Sequence, residues 1–360
     1  MNENPGKGRY QALTDVPGLK VGQATDAEAL TGCTVVLCEQ GAVGGVEVRG
    51  GAAGTHGLET LRVFHLVPEV HGLVLTGGSG FGLASVTGVM EYLEARGVGF
   101  DVGVAKVPIV AGAVVFDLNL GDGRVRPDAA MGRTACENAS EGPIAQGNVG
   151  AGTGATIGKL FGIEHAMKGG LGTASARLAN DLIVAALAVV NAFGDVIDPR
   201  TGEVLAGARN PLTGRLADTA ACLKRGYTSP GFARPALENT TLGVVATNAR
   251  LTKVEANKVA QMAHNGLARS LSPVHTLFDG DTVFALAIGE VPGEVNIIGT
   301  AAAEVLAEAV VNAVKAAESV ETVLAWRDLA PSSLQECGGQ NSPPVAQQNQ
   351  AYPADDTDRA

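Results

Sequence analysis

A chain of 360 residues with 46% apolar and 18% charged side chains is long and apolar enough to bury a substantial core, which excludes a disordered or fibrous protein. Acids outnumber bases 37 to 26 and no run of four Lys or Arg occurs, so nucleic acid is not an expected partner. The five cysteines, Cys33, Cys38, Cys136, Cys222 and Cys337, show no Cys-x-x-Cys spacing, which points to reduced thiols in the cytoplasm and away from a disulfide scaffold.

Residues 1–10 are polar, lack the apolar centre of a secretory signal, and predict a flexible N-terminus ahead of one domain over 11–336. The runs Cys33–Cys38, Gly45–Arg49 and Gly72–Leu75, bounded by Gly or Thr, predict strands. From Gly82 to Arg96, Leu83, Val86, Val89, Met90 and Leu93 recur at three- and four-residue steps, which predicts an amphipathic helix and sets up an α/β rhythm. Residues 121–160, with Pro127, Pro143 and the series Gly147, Gly150, Gly152, Gly154 and Gly158, read as loop. Leu182–Val190 has no polar face and reads as a fully buried central strand; it is far shorter than the ~20 residues of a bilayer crossing, so no membrane span is expected. Asp198–Glu238, carrying Pro199, Pro211, Pro230 and Pro235, reads as an exposed, protease-accessible connection. A strand over Thr241–Ala246 follows, then a helix capped by Thr252 with Glu255 three residues on, running to about Ser270. A strand over Thr282–Ile288 and a helix from about Asn296 to Ala317 complete the ordered chain, and Cys337–Ala360 predicts a disordered tail.

The glycines invite nucleotide motifs, which fail. A phosphate loop needs a glycine five residues before Gly158 and a hydroxyl after Lys159, where Thr153 and Leu160 stand. Gly150-x-Gly152-x-x-Ala155 fits a loose dinucleotide pattern, but no strand precedes it, so no cofactor is expected. Ser79, in Gly77–Phe81, lacks the second glycine of a nucleophile elbow and reads as a turn residue. His264 has no second ligand one helical turn on, and His56, His65 and His71 flank no carboxylate pair, so no metal is expected. Asn239-Thr240-Thr241 reads either as a strand entry or as a self-cleavage site. In the second reading the Thr240 hydroxyl attacks the Asn239 carbonyl, and the amine released, with a pKa near ~8, serves as the base for its own side chain. Lys159 is either solvated or a fixed positive charge, and Asn191 is either a turn former or an oxyanion donor. Asp279 and Asp281 either cap a turn or hold the new ammonium and the hydroxyl.

Taken together, Leu13–Gly22, Val48–Gly51 with Gly54–Thr55, Leu75–Leu83, Val107–Val110, Gly147–Lys159, Val189–Asn191, Asn239–Thr241 and Thr247–Ala249 resemble the DmpA-type L-aminopeptidase/D-esterase family. These are N-terminal-nucleophile-like hydrolases that include nylon-oligomer hydrolases, and the likeness spans about residues 11–325. It implies a four-layer αββα sandwich, made as a precursor and cut between Asn239 and Thr240 into chains 1–239 and 240–360 that assemble as homotetramers. It further implies Thr240 as nucleophile, Asn191 as oxyanion donor, Lys159 as its electrostatic neighbour and Asp279 with Asp281 as the network behind them. Phe116, Gly78 and Ser79 fall at the substrate pocket; Phe116 stands where some aminopeptidase members carry a Tyr, a departure that bears on amine recognition and not on the nucleophile.

The leading expectation is therefore a self-processing hydrolase of small peptides or amino-acid amides, acting through an acyl-enzyme without cofactor, metal, nucleic acid or membrane. An acyltransferase of the ornithine acetyltransferase type, with an amine replacing water as acceptor, is one alternative. A non-catalytic binding protein on the same fold is the other.

Overall fold

The computed structural model describes residues 8–227 and 239–329. The strands that build the architecture are β1 (Lys20–Asp26), β2 (Thr31–Val48), β3 (Glu69–Thr76), β4 (Val110–Val114), β5 (Gly170–Arg177), β6 (Ile183–Asn191), β7 (Thr240–Ala249) and β8 (Thr282–Val291). Four helices accompany them: α1 (Ser85–Glu94), α2 (Ala129–Glu137), α3 (Lys253–Ser270) and α4 (Val295–Ala316).

Strand β2 is the hinge of the design, because its two ends belong to different layers. Its first half pairs with β1 and β3, and β4 runs parallel to β3. Its second half pairs with β8, which runs parallel to β7; β6 and then β5 follow antiparallel. The two halves fold face to face. Val36, Leu73, Leu75, Ala111 and Ala113 from one meet Leu187, Val189, Leu242, Val244, Phe284 and Leu286 from the other. Outside the first half, Val35, Leu37 and Val74 pack against Val86, Val89 and Leu93 of α1 and Cys136 of α2. Outside the second, Val184, Ala186, Ala188 and Val190 of β6 pack against a layer that includes Leu267 of α3 and Leu306 and Val310 of α4. Residues of β6 thus alternate between helix and sheet partners, as period-2 side chains buried on both faces must. The order of layers is α, β, β, α, the α/β sandwich expected.

Several expectations need correction. Cys33–Cys38 and Gly45–Val48 are parts of one strand, Thr31–Val48, which ends before Arg49 and whose register shifts between Leu37 and Ala42. The irregularity bends the strand from one layer into the other without ending it. The loop expected over 121–160 contains α2, capped by the Asp128 carboxylate, which accepts from Met131 N–H at 2.9 Å. The helix expected from Gly82 starts at Ser85, after a 3₁₀ turn over Ser79–Ala84. Asp198–Glu238 is not exposed throughout: Val204–Ala206 is a buried strand and Thr219–Lys224 a short helix capped by Asp218. Residues 228–238, like 1–7 and the expected tail 337–360, lie outside the described residues. Helix α4, at 22 residues, is long and apolar enough to cross a membrane by length and composition, although polar residues interrupt its apolar sequence. Its apolar surface is instead covered by β5, β6 and α3, and Glu304 and Glu308 mark its open side.

Candidate active site

Sheet register brings the distant candidates together. Asn191 ends β6 and Thr240 begins β7, and the antiparallel ladder makes them direct cross-strand partners. Parallel pairing of β7 with β8 sets Leu242 beside Thr282, so Gly280 and Asp281, at the entry to β8, lie next to Thr240 and Thr241. A one-residue slip would exchange the side chains that face the helices with those that face the other sheet, so close packing on both faces sets the register.

Thr240 and Asn239 are buried. The Thr240 hydroxyl lies 2.5 Å from the Asn239 carbonyl oxygen, which also accepts from Gly280 N–H at 2.9 Å. Beyond Thr240, Asp281 Oδ1 accepts from Thr241 N–H at 2.8 Å. Asp281 Oδ2 accepts from His275 N–H at 3.1 Å and pairs with His275 Nδ1 at 2.8 Å. Asp279 accepts from Phe193 N–H at 3.2 Å and from the Thr276 N–H and hydroxyl at 3.1 and 2.6 Å. Burial, and then the negative charge of Asp281, push the Asp279 carboxyl up to about 6. The His264 ring stands edge-on to His275, with centroids 4.8 Å apart, and burial pushes it down to about 4, so it is neutral near pH 7.

On the other side of Thr240, Asn191 is fully buried and its amide is held in one orientation. Its Oδ1 accepts from Thr156 N–H and from Lys159 Nζ, both at 2.9 Å, and its Nδ2 donates to the Phe116 carbonyl at 3.1 Å. Two donors on Oδ1 leave the NH₂ as the donor end, so the flip of this amide follows from its neighbours. The Lys159 ammonium donating to Oδ1 polarises the amide and strengthens its N–H groups as donors. Lys159 reaches this position because the glycine-rich turn 150–158 is itself anchored. Lys168, cross-strand from Thr156, is fully buried and donates to the carbonyls of Gly152, Ala155 and Gly169 at 3.1, 2.8 and 3.1 Å. Asp117 is buried beside Phe116 and accepts from Gly78 N–H and the Thr31 hydroxyl, both at 2.7 Å; burial raises its pKa.

Thr240, Asn191 and Lys159 are therefore contiguous, with Asp281 and Asp279 on the opposite flank. Phe116 joins through its main-chain carbonyl. Gly78 connects through Asp117, and Ser79 donates its N–H to the Val115 carbonyl. Sequence patterning left two neighbours unmarked. His275 carried a usable signal, a histidine four and six residues before two aspartates; Gly280 carried none, because its contribution is a backbone N–H. Chemically, the site presents a hydroxyl against a peptide carbonyl, an oriented amide backed by a cation, and carboxylates that fix the neighbouring backbone.

Comparison with known proteins identifies the family to which the chain belongs. The chain matches peptidase family S58 over residues 11–325. It is 42% identical over 352 residues to an uncharacterized aminopeptidase of Mycobacterium tuberculosis, covering 90% of this chain and 99% of that protein. It is 33% identical over 321 residues to a 6-aminohexanoate-oligomer endohydrolase of Paenarthrobacter ureafaciens, covering 86% and 87%. Among solved structures, a Burkholderia sp. beta-aminopeptidase aligns with TM-score 0.64 at 26% identity over 89% of this chain and 90% of that one. The L-aminopeptidase D-Ala-esterase/amidase of Ochrobactrum anthropi, an N-terminal-nucleophile hydrolase fold, aligns with TM-score 0.65 at 22% identity over 88% and 89%, and shares the fold. The chain belongs to peptidase family S58 and is a hydrolase.

Proposed function

We propose that this hydrolase cuts itself between Asn239 and Thr240 and then uses the exposed threonine to hydrolyse an amide bond in a small peptide, amino-acid amide or amide oligomer. The observation that carries the reading is the position of the Thr240 hydroxyl: against the Asn239 carbonyl on one side, and cross-strand from the oriented amide of Asn191 on the other. Once cleavage frees it, the Thr240 amine takes the proton from Oγ1 as Oγ1 attacks the substrate carbonyl. The Asn191 amide, polarised by Lys159, receives the developing negative charge, and the leaving amine collects the proton from the Thr240 ammonium. Water then attacks the acyl-enzyme, with the amine again as base, and releases the acid. The names of the relatives, aminopeptidase and 6-aminohexanoate-oligomer endohydrolase, support an amide of an amino acid or of a longer amino acid as the substrate class.

Intact-mass analysis tests the reading. Wild type is expected as two chains whose masses sum to the precursor plus one water, and Thr240→Ala as a single uncut chain without activity. An uncut wild type, or a cut Thr240→Ala, would overturn it. Para-nitroanilides of L-, D- and β-amino acids, run on the processed enzyme, then sort the substrate class.

A further inference from the structure

We infer that the oxyanion formed during self-cleavage is held by the backbone N–H of Gly280 and not by Asn191; the inference rests on the self-cleavage just proposed. The atom that becomes negative when Thr240 Oγ1 attacks the Asn239 carbon is the Asn239 carbonyl oxygen. Gly280 N–H already donates to that oxygen at 2.9 Å. The Asn191 NH₂, by contrast, donates to the Phe116 carbonyl at 3.1 Å.

The donor is preorganised by its neighbours. The Asp279 carbonyl accepts from Ala52 N–H at 2.9 Å and the Asp281 carbonyl from Arg49 N–H at 3.0 Å, while both carboxylates are tied to adjacent backbone. The peptide that carries the Gly280 N–H is thus fixed at both ends, and it needs no rearrangement as charge develops. The residue type is also dictated. A Cβ at position 280 would lie 2.5 Å from Thr240 Oγ1 and 3.0 Å from the Ala52 carbonyl oxygen, so any side chain takes the space of the attacking hydroxyl.

In the step itself, an Oγ1 lone pair forms the new C–O bond and the carbonyl π pair moves onto the oxygen held by Gly280. Collapse then breaks the C–N bond, and its electron pair leaves on the Thr240 nitrogen, which takes the proton lost by Oγ1. Water attacks the resulting ester, giving the Asn239 carboxyl group and restoring the Thr240 hydroxyl.

The test replaces the Gly280 peptide N–H by an ester oxygen, introducing glycolic acid at position 280 of the full chain, and follows conversion by intact mass. Losing one preorganised oxyanion donor is expected to slow cleavage on the order of 10²–10³-fold; cleavage at the wild-type rate would overturn the assignment. Gly280→Ala keeps the donor and crowds the hydroxyl, so it too is expected to cleave slowly, and wild-type speed there would overturn the placement even if the ester variant fails to fold. Asn191→Ala is expected to slow cleavage less than the ester does, and an equal or larger loss would overturn the choice of donor. Thr240→Ala separates the two levels: if it is cut, the self-cleavage reading fails, whereas an uncut Thr240→Ala beside a freely cut ester variant removes only the role of Gly280.

Discussion

Lys168 is an ionisable group fully buried behind the site, and its titration has a definite sign. Burial pushes it down from 10.5 to about 7; the nearby Asp117 opposes that shift and Lys159 adds to it. A base with a lower pKa in the folded chain binds fewer protons there than when unfolded. Stability from this group therefore rises with pH between about 7 and 10.5, and is flat below about 7. Over that window the slope is at most ~1.4 kcal/mol per pH unit. Lys168→Met is expected to lack this rise and to be less stable at pH 9, where the neutral wild-type amine still serves carbonyls that the variant leaves without a donor. Urea midpoints of both proteins at pH 7 and 9 check it: parallel pH dependences would show that Lys168 titrates as an ordinary lysine. The same variant should lower turnover, because the carbonyls that Lys168 gathers hold the turn that delivers Thr156 and Lys159 to Asn191.

Elements of this fold are specified partly by local rules and partly by how closely their backbones approach. Thr252 follows the local rules. Its side chain accepts from Glu255 N–H while the Glu255 carboxylate accepts from Thr252 N–H at 2.7 Å, so Thr252→Ala should cost about 1 kcal/mol, read as a lower urea midpoint with activity retained. Gly266 follows the second kind. A Cβ there would sit 2.3 Å from the Ala303 carbonyl oxygen of α4, so Gly266→Ala, despite its better helix propensity, should separate α3 from α4 and destabilise by about 1–3 kcal/mol. An unchanged or higher midpoint would show that the helices can shift to accommodate it. This difference explains what was legible in the sequence. The capped helix α3, the apolar strand β6 and the helix α4 show in periodicity or cap residues, which report on a segment's own environment. Helix α2 did not show, because Pro127, Pro143 and the glycine series beyond it read as loop signals and Gly132 within it weakens a helical pattern. The structure uses that glycine for contact with α1, where a Cβ would lie 2.1 Å from the Ser85 carbonyl oxygen. The site divides the same way. Thr240, Asn191 and Lys159 stand at ends of recognisable segments and inside a family pattern, whereas the pairing of His275 with Asp281 depends on a loop conformation that no local pattern encodes.

The whole molecule places the proposed cut where it does least damage to the fold. Peptide 239–240 lies at the start of β7, yet β7 sits between β6, on the N-terminal side of the cut, and β8, on the C-terminal side. Residues after the cut supply β7, β8, α3 and α4, which form one helix layer and half of the adjoining sheet. Val184, Ala186 and Val190 from before the cut pack in one cluster with Val245, Leu267 and Leu306 from after it. Leu73 and Leu187 share the inter-sheet cluster with Leu242 and Phe284 in the same way. Separating the chains would open both clusters to water and strip β7 and β6 of their mutual ladder, a surface of the obligate kind that resembles a domain core divided in two. Processed protein is therefore expected to elute in native buffer as one species containing both chains, to separate only in denaturant, and to lose the secondary structure of both chains in a single thermal transition. Elution of chain 240–360 apart from chain 1–239 without denaturant would show that the ladder between β6 and β7 does not hold the halves together.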